Sequence, residues 1–373
     1  MNTGDQTRLR KLDHIRITID SDIEHHGTSL LEEVFLTHQA IPETSLDDID
    51  SSIEFLGKRI NAPIMVTGMT GGHEATAKIN CDIASVVEEL GLAMGVGSQR
   101  AAIENKSLSW TFKAARDCAP SAPLVANIGA PQLAEGYGVR EVIEAIEMID
   151  ADAIAIHLNA AQEVFQPEGN RNFAGVIDKI AEIVDSIEKP VIVKETGHGI
   201  SYEVAYRLAS KGVRYFDVSG AGGTSWVLVE RYRGREDALE TISAEVYGSW
   251  GIPTALSIIE TRWAAPSSCI IASGGIRTGL DALRSITLGA NLAGLALPAI
   301  RAYARSGRSG VHRLLERIVY EFRVGMFLTG CRSIECLHRL RIGIGPRLRS
   351  LASQRGIHVD LYLWLREAFS ARC

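Results

Sequence analysis

No uninterrupted apolar run in this 373-residue sequence is long enough to cross a bilayer, which excludes a helical membrane-spanning protein. Residues 1–22 are polar with no apolar centre, so no secretory signal is expected. Bulk positive charge is missing as well. The formal charge is −6, which gives no argument for a nucleic-acid or anionic-membrane partner. The six cysteines, Cys81, Cys118, Cys269, Cys331, Cys336 and Cys373, form no C-x-x-C pair and no zinc spacing. They are expected to be reduced thiols of a cytoplasmic protein, with Cys269 packed inside an apolar strand. Nor does a G-x-G-x-x-G fingerprint open the first strand–helix unit, which disfavours a doubly wound sheet.

What the sequence does hold is an alternation of short apolar runs with helical patterns. The candidate strands are 63–67, 93–96, 124–127, 153–158, 191–194, 215–218, 270–273 and 292–296. Helical periodicity fills the intervals, for example at 75–90, 140–149, 173–187, 202–210, 254–264 and 281–288. Eight strand-then-helix units imply an all-parallel sheet, and eight is the number that closes a TIM (β/α)8 barrel. The expected architecture is therefore α/β: an N-terminal extension over 1–58, the barrel over 59–298 and a helical, arginine-rich extension over 299–373. Residues 30–36 read as a short apolar helix and 53–56 as a strand. Residues 221–251, after the sixth strand, read as a mobile loop over the active face.

Barrel active sites collect at the carboxyl ends of the strands. Here each strand ends in small, hydrogen-bonding or charged residues. The fourth is the most telling, because the apolar run ending at Ile156 passes straight into His157, Asn159, Gln162 and Glu163. Alternation puts His157 and Asn159 on one face. Glu163 either charges the next helical turn or serves as a Mg²⁺ ligand beside a diphosphate. After strands seven and eight, Ser273-Gly274-Gly275-Ile276-Arg277 and Gly294-Leu295-Ala296 have the form of a barrel phosphate site, in which backbone N–H groups and a helix N-terminus hold the anion. Lys194 leaves an apolar strand with three readings open: a Schiff base, a charge against an anionic ring, or an ion pair. Alternation points it away from Glu195, so those two side chains are not expected to pair.

Taken in order, these segments resemble the type 2 isopentenyl-diphosphate isomerases, which are FMN-dependent. The resemblance rests on Arg10 to His14, Thr67 to Gly72, Gly97 to Arg100, Asn127 to Gln132, His157 to Glu163, Gln166 to Gly169, Val193 to Glu195, Ser219 to Thr224 and Ser273 to Arg277, and it continues into Met326 to Gly330. It implies FMN on Thr67, Gly68, Met69, Thr70, Ser98, Asn127, Lys194, Ser219 and Thr224, with its phosphate on Gly274, Gly275, Arg277, Ala296 and Leu297. It implies a substrate diphosphate on Arg10, Lys11, Ser98, Gln99, Arg100, His157 and Asn159. Gln162 would face the reacting alkene, Glu163 would hold Mg²⁺, and Gln162 and Lys194 would serve catalysis. The implied reaction converts isopentenyl diphosphate to dimethylallyl diphosphate for isoprenoid biosynthesis, with reduced FMN as the active form and NADPH as reductant. The implied assembly is a homo-oligomer, tetramer or octamer, with Arg10 and Lys11 reaching in from a neighbouring subunit. One departure is local: Asn170-Arg171-Asn172 stands where the family more often has aspartate.

Two rivals carry different chemistry. A 2-hydroxy-acid oxidase would need a histidine base with arginines that clamp a carboxylate, and only His198 lies near strand five for that role. Nucleic-acid binding would use the arginines from Arg301 to Arg349, but aromatic interleaving is sparse there, and a solvated or subunit-facing helix is the plainer reading.

Overall fold

The computed structural model describes residues 3–366 and Cys373, without the side chains of residues 3–10 and 12. Eight parallel strands close into a barrel in simple chain order. We label them β1 (Ile64–Val66), β2 (Ala93–Gly95), β3 (Leu124–Gly129), β4 (Ala153–His157), β5 (Val191–Lys194), β6 (Tyr215–Asp217), β7 (Cys269–Ser273) and β8 (Leu292–Leu295). Most are buried on both faces, as strands sandwiched between a filled interior and a helical shell must be. The register lines up Gly129, His157, Lys194 and Asp217 across β3 to β6, at the carboxyl rim.

The opposite end is closed by a hairpin of Ile53–Phe55 and Lys58–Ile60. Phe55 and Ile60 pack there with Met65, Val125, Ile192, Ile271 and Leu292. Cys373 joins this floor. Its sulfur is bonded to Cys269, and its carbonyl accepts from the Leu56 N–H at 2.8 Å.

Four further helices matter for the site: α1 (Thr3–Asp20), α2 (Trp226–Arg233), α3 (Leu239–Tyr247) and α4 (Leu297–Leu328). Ser225 caps α2 by accepting from the Leu228 N–H. The segment read as a loop over 221–251 is thus largely a helical hairpin. Charged residues fall on both the buried and the exposed faces of these two short helices, which concealed their periodicity. Residues 30–36 are corrected in the same way. Only Leu31–Glu33 form a 3₁₀ turn, and Val34–Leu36 is a strand paired with Ile342–Ile344 of the C-terminal segment.

The expectation of reduced thiols is overturned. Cys81 is bonded to Cys118, Cys269 to Cys373 and Cys331 to Cys336. The helices Glu74–Leu90 and Trp110–Cys118 pack side by side, so Cys81 and Cys118 meet with Cα atoms 5.2 Å apart, although 37 residues separate them in sequence. Motif spacing is blind to such a pair, and the thiol-based argument for a cytoplasmic setting falls with it. Among the described residues no helix is long and apolar enough to cross a membrane.

Cutting the floor staple with Cys373→Ser is expected to cost about 2–4 kcal/mol in denaturant unfolding, because the link restrains a long stretch of the unfolded chain. An unchanged midpoint would show that the hairpin alone carries the floor.

Candidate active site

A cavity, partly open to solvent, lies at the carboxyl rim. All eight strands reach it. β1 contributes Thr67, Gly68, Met69 and Thr70, β2 Ser98 and Arg100, and β3 Asn127. β4 contributes His157, Asn159, Gln162 and Glu163, and β5 contributes Lys194. Ser219 and Thr224 follow β6, Gly274, Gly275 and Arg277 follow β7, and Ala296 and Leu297 follow β8. Lys11, on α1, lines the cavity of its own chain. Arg10 lies outside the described side chains. Gln99 is the exception. Expected to meet a diphosphate, it stands fully buried behind the wall, where its amide donates to the Ala145 carbonyl and its oxygen accepts from the Asn127 N–H.

The end of β4 is built as one hydrogen-bonded unit. His157 Nδ1 lies 2.7 Å from Asn127 Oδ1. Asn159 donates to Glu163 Oε1 at 2.8 Å and to Gln162 Oε1 at 3.3 Å. The second oxygen of Glu163 accepts from the Asn170 backbone N–H at 2.6 Å, so the departure at Asn170 leaves that bond to the main chain. Asn159 Oδ1 and Thr70 Oγ1 are buried at the cavity with no partner among the described residues. Buried polar atoms are normally satisfied, so two orphans on residues that line one cavity mark it as a place for a ligand.

Glycines line the loops after β6 and β7 where they meet. Gly274 and Gly275 have φ of 96° and 84°, and a Cβ on Gly274 would fall 2.0 Å from the Gly220 carbonyl. Only glycine lets the loops after β6 and β7 approach this closely. Leu297 opens α4 behind them; Pro298 has no N–H, and those of Ala299 and Ile300 donate to the Ala296 carbonyl, which leaves the Leu297 N–H facing out of the helix start.

Lys194 donates to the carbonyl of Glu195 at 2.6 Å and lies 4.0 Å from Asp217 Oδ2. The Glu195 carboxylate instead accepts from the N–H groups of Thr196, Gly197 and His198. Asp217 is buried, and burial pushes its carboxyl above the usual range against the opposing pull of Lys194 and of the Ser273 hydroxyl, 2.5 Å away.

α2 brings in the residue that the sequence concealed. Glu230 is 1% exposed, yet it accepts from Gln162 Nε2 at 2.8 Å, lies 3.0 Å from His14 Nε2 and pairs with Arg233 at 2.5 Å. Burial raises its pKa, but hydrogen bonding by His14, the charges of His14 and Arg233 and the Gln162 amide prevail and hold it at about 2. The ring of Trp226 meets His14 edge-on.

A family model for FMN-dependent dehydrogenases matches residues 129–343. An isopentenyl-diphosphate delta-isomerase of Ignicoccus hospitalis is 53% identical, over 97% of this chain and 99% of its own. One of Aeropyrum pernix is 50% identical, over 96% of each chain. The chain belongs to the isopentenyl-diphosphate delta-isomerase family, in the FMN-dependent type 2 branch that the motifs resemble. Among solved structures, a mandelate oxidase superposes with a TM-score of 0.62 at 18% identity, covering 92% of this chain and 99% of that one, a likeness of fold alone.

Within this isomerase-family barrel, Glu230, Asp217 and His14 escaped sequence reasoning for different reasons. His14 shares the spacing of Lys11, Ile15 and Thr18, which all line the cavity, so the 3–4 periodicity of one helix face was the available signal. Asp217 is the last residue of an apolar strand and carries no motif. Glu230 stood inside the supposed loop. His198, the one candidate base for a hydroxy-acid oxidase, is buried away from the cavity. Some of the C-terminal arginines are engaged within the chain: Arg308 pairs with Glu89 at the surface, and Arg323 donates to the carbonyls of Leu46 and Ile49.

A carboxyl held at about 2 contributes stability that is fully present above its ordinary value of 4.5 and is lost as pH falls through about 2. Glu230→Gln is therefore expected to lower stability at pH 7 and to flatten its acid limb between about pH 5 and 2. Denaturant unfolding across that range checks this, and an acid limb identical to the parent's would refute the assignment.

Proposed function

We propose that this chain isomerises isopentenyl diphosphate to dimethylallyl diphosphate, with reduced FMN, NADPH as reductant and Mg²⁺. The observation that carries the reading is the Asn159–Gln162–Glu163 unit, buried at one end of a cavity whose other end is a glycine-lined phosphate cradle. The reaction moves a proton without net redox: one adds at the terminal alkene carbon and another leaves the carbon nearer the diphosphate. Bound reduced FMN would supply acid–base capacity and an electron-rich face against the developing cation.

The chain's own residues have separable tasks in this reading. Thr67 to Thr70, Ser98, Asn127, Ser219 and Thr224 hold the ring system, and Gly274, Gly275, Arg277, Ala296 and Leu297 hold its phosphate. Lys194 sets a buried positive charge at the cavity floor, with Asp217 behind it. Lys11, Arg100, His157 and Asn159 receive the diphosphate. Among the described residues no three acidic, histidine or cysteine side chains form a metal site by themselves. That fits Mg²⁺, which takes one carboxylate, here Glu163, together with phosphate oxygens.

Glu230 fixes the rotamer of Gln162. With Nε2 committed to Glu230, the Gln162 oxygen is turned to the Asn159 side, where it can face a cationic carbon. The reading includes a homo-oligomer. Leu239, Ile242 and Val246 support it: they share one face of α3 and are 78%, 58% and 79% exposed.

Anaerobic incubation of isopentenyl diphosphate with FMN, NADPH and Mg²⁺, followed by NMR, is expected to give dimethylallyl diphosphate. Bound flavin without product, or flavin reduction by mandelate or lactate, would reassign the chemistry to the hydroxy-acid oxidases. Gln162→Asn should lower kcat about 10²–10³-fold, the loss typical of one positioned polar group at a charged transition state. EDTA should abolish turnover, and Glu163→Gln should shift its recovery to higher Mg²⁺. Unchanged metal dependence in that variant would remove Glu163 from the metal site.

A further inference from the structure

Glu24 lies outside every motif, yet it joins three parts of the molecule. Its Oε2 accepts from Arg277 at 2.7 Å, and its Oε1 accepts from Arg301 of α4 at 2.7 Å. Burial opposes its charge, but the two guanidiniums outweigh it and hold the carboxyl below the ordinary range. The backbone of Glu24 bridges Thr224 in antiparallel fashion, flanked by bonds from His25 N–H to the Gly223 carbonyl and from Ser225 N–H to the Ile23 carbonyl.

Arg301 continues the chain of contacts. Its Nε donates to the Thr18 carbonyl and its second terminal nitrogen to the Ser21 carbonyl, each at 3.1 Å. The first carbonyl belongs to the last turn of α1 and the second to the residue just after it, and that last turn has no basic residue of its own. Arg301 thus supplies from α4 the cation that a helix C-terminus favours, and Glu24 holds that cation in place. The same helix carries Lys11, His14, Ile15 and Thr18 into the cavity.

We propose that Glu24 is a positioning residue that couples the phosphate end of the cavity to α1, so that cofactor and diphosphate bind cooperatively. The charges alternate along the path: cofactor phosphate, Arg277, Glu24, Arg301, then the carbonyl end of α1. Fixing Arg277 against a phosphate fixes Glu24, which fixes Arg301 and the helix that presents Lys11. Whichever ligand binds first orders α1, and the second meets a helix already in place. By linkage each ligand must tighten the other by the same factor.

The inference rests on the cofactor and diphosphate sites proposed above, and the test separates its failure from theirs. FMN affinity is measured by flavin fluorescence quenching, with and without inorganic pyrophosphate and Mg²⁺, in the parent, Glu24→Gln and Arg301→Gln. Pyrophosphate should tighten FMN at least about fivefold in the parent, the lower end of ordinary couplings, and less than twofold in either variant. Hydrogen exchange of the ligand-free proteins gives a second readout, and residues 13–20 should exchange faster in both variants. A parent-like coupling ratio in Glu24→Gln, or a parent without coupling, would overturn the proposal. Absence of FMN binding by the parent would instead sink the cofactor reading. In that case unchanged exchange at residues 13–20 would still overturn the role of Glu24 in holding α1.

Discussion

The parallel register of the barrel is the constraint on which the site depends. Because all eight strands run the same way and pair in chain order, every strand delivers its last residue to one rim. His157, Lys194 and Asp217 become neighbours there through main-chain hydrogen bonds, not through attraction among their side chains. Two charged groups and an imidazole can then be desolvated together, since the ladder that holds them is itself buried and cooperative. Side-chain chemistry is added to a frame that would close without it.

The rim alone makes an open dish. α1 and the α2–α3 hairpin turn it into a chamber, and they meet at the buried carboxylate of Glu230. A charge in that position is tolerable only when its oxygens are filled, and here His14, Gln162 and Arg233 fill them. The same carboxylate that locks the roof to the floor also sets the amide of Gln162. The shape of the cavity and the orientation of its polar lining are therefore one structural fact, not two.

Strand order, closure and the glycine cradle were legible in the sequence because each rests on local spacing: apolar runs of period two, glycines at their ends, helices between them. Gln99 shows the limit of that reading. It sits in a strand-end segment among residues that do line the cavity, and one step of rotation sends its side chain behind the wall. Asp217, Glu24 and two of the disulfides, Cys81–Cys118 and Cys269–Cys373, depend on neighbours far away in sequence, so no short window along the chain contains both partners; Cys331 and Cys336 are only 5 residues apart, but they form no recognised motif. The α2–α3 hairpin was missed for another reason. Exposed apolar residues such as Leu239 and Val246 blur the polar–apolar contrast by which a surface helix is recognised.

The placement of α1 also bears on how the molecule is made. The anchors of this helix are Glu230 and Arg301, more than two hundred residues further along the chain. Until both α2 and α4 have been made, the helix bearing Lys11 and His14 lacks one of its two anchors, and before β8 is in place the barrel cannot shelter it. The chamber is therefore finished only when α1 folds onto segments made long after it. A nascent chain would have no enclosed site, and so no means of retaining a small ligand, before its barrel is whole.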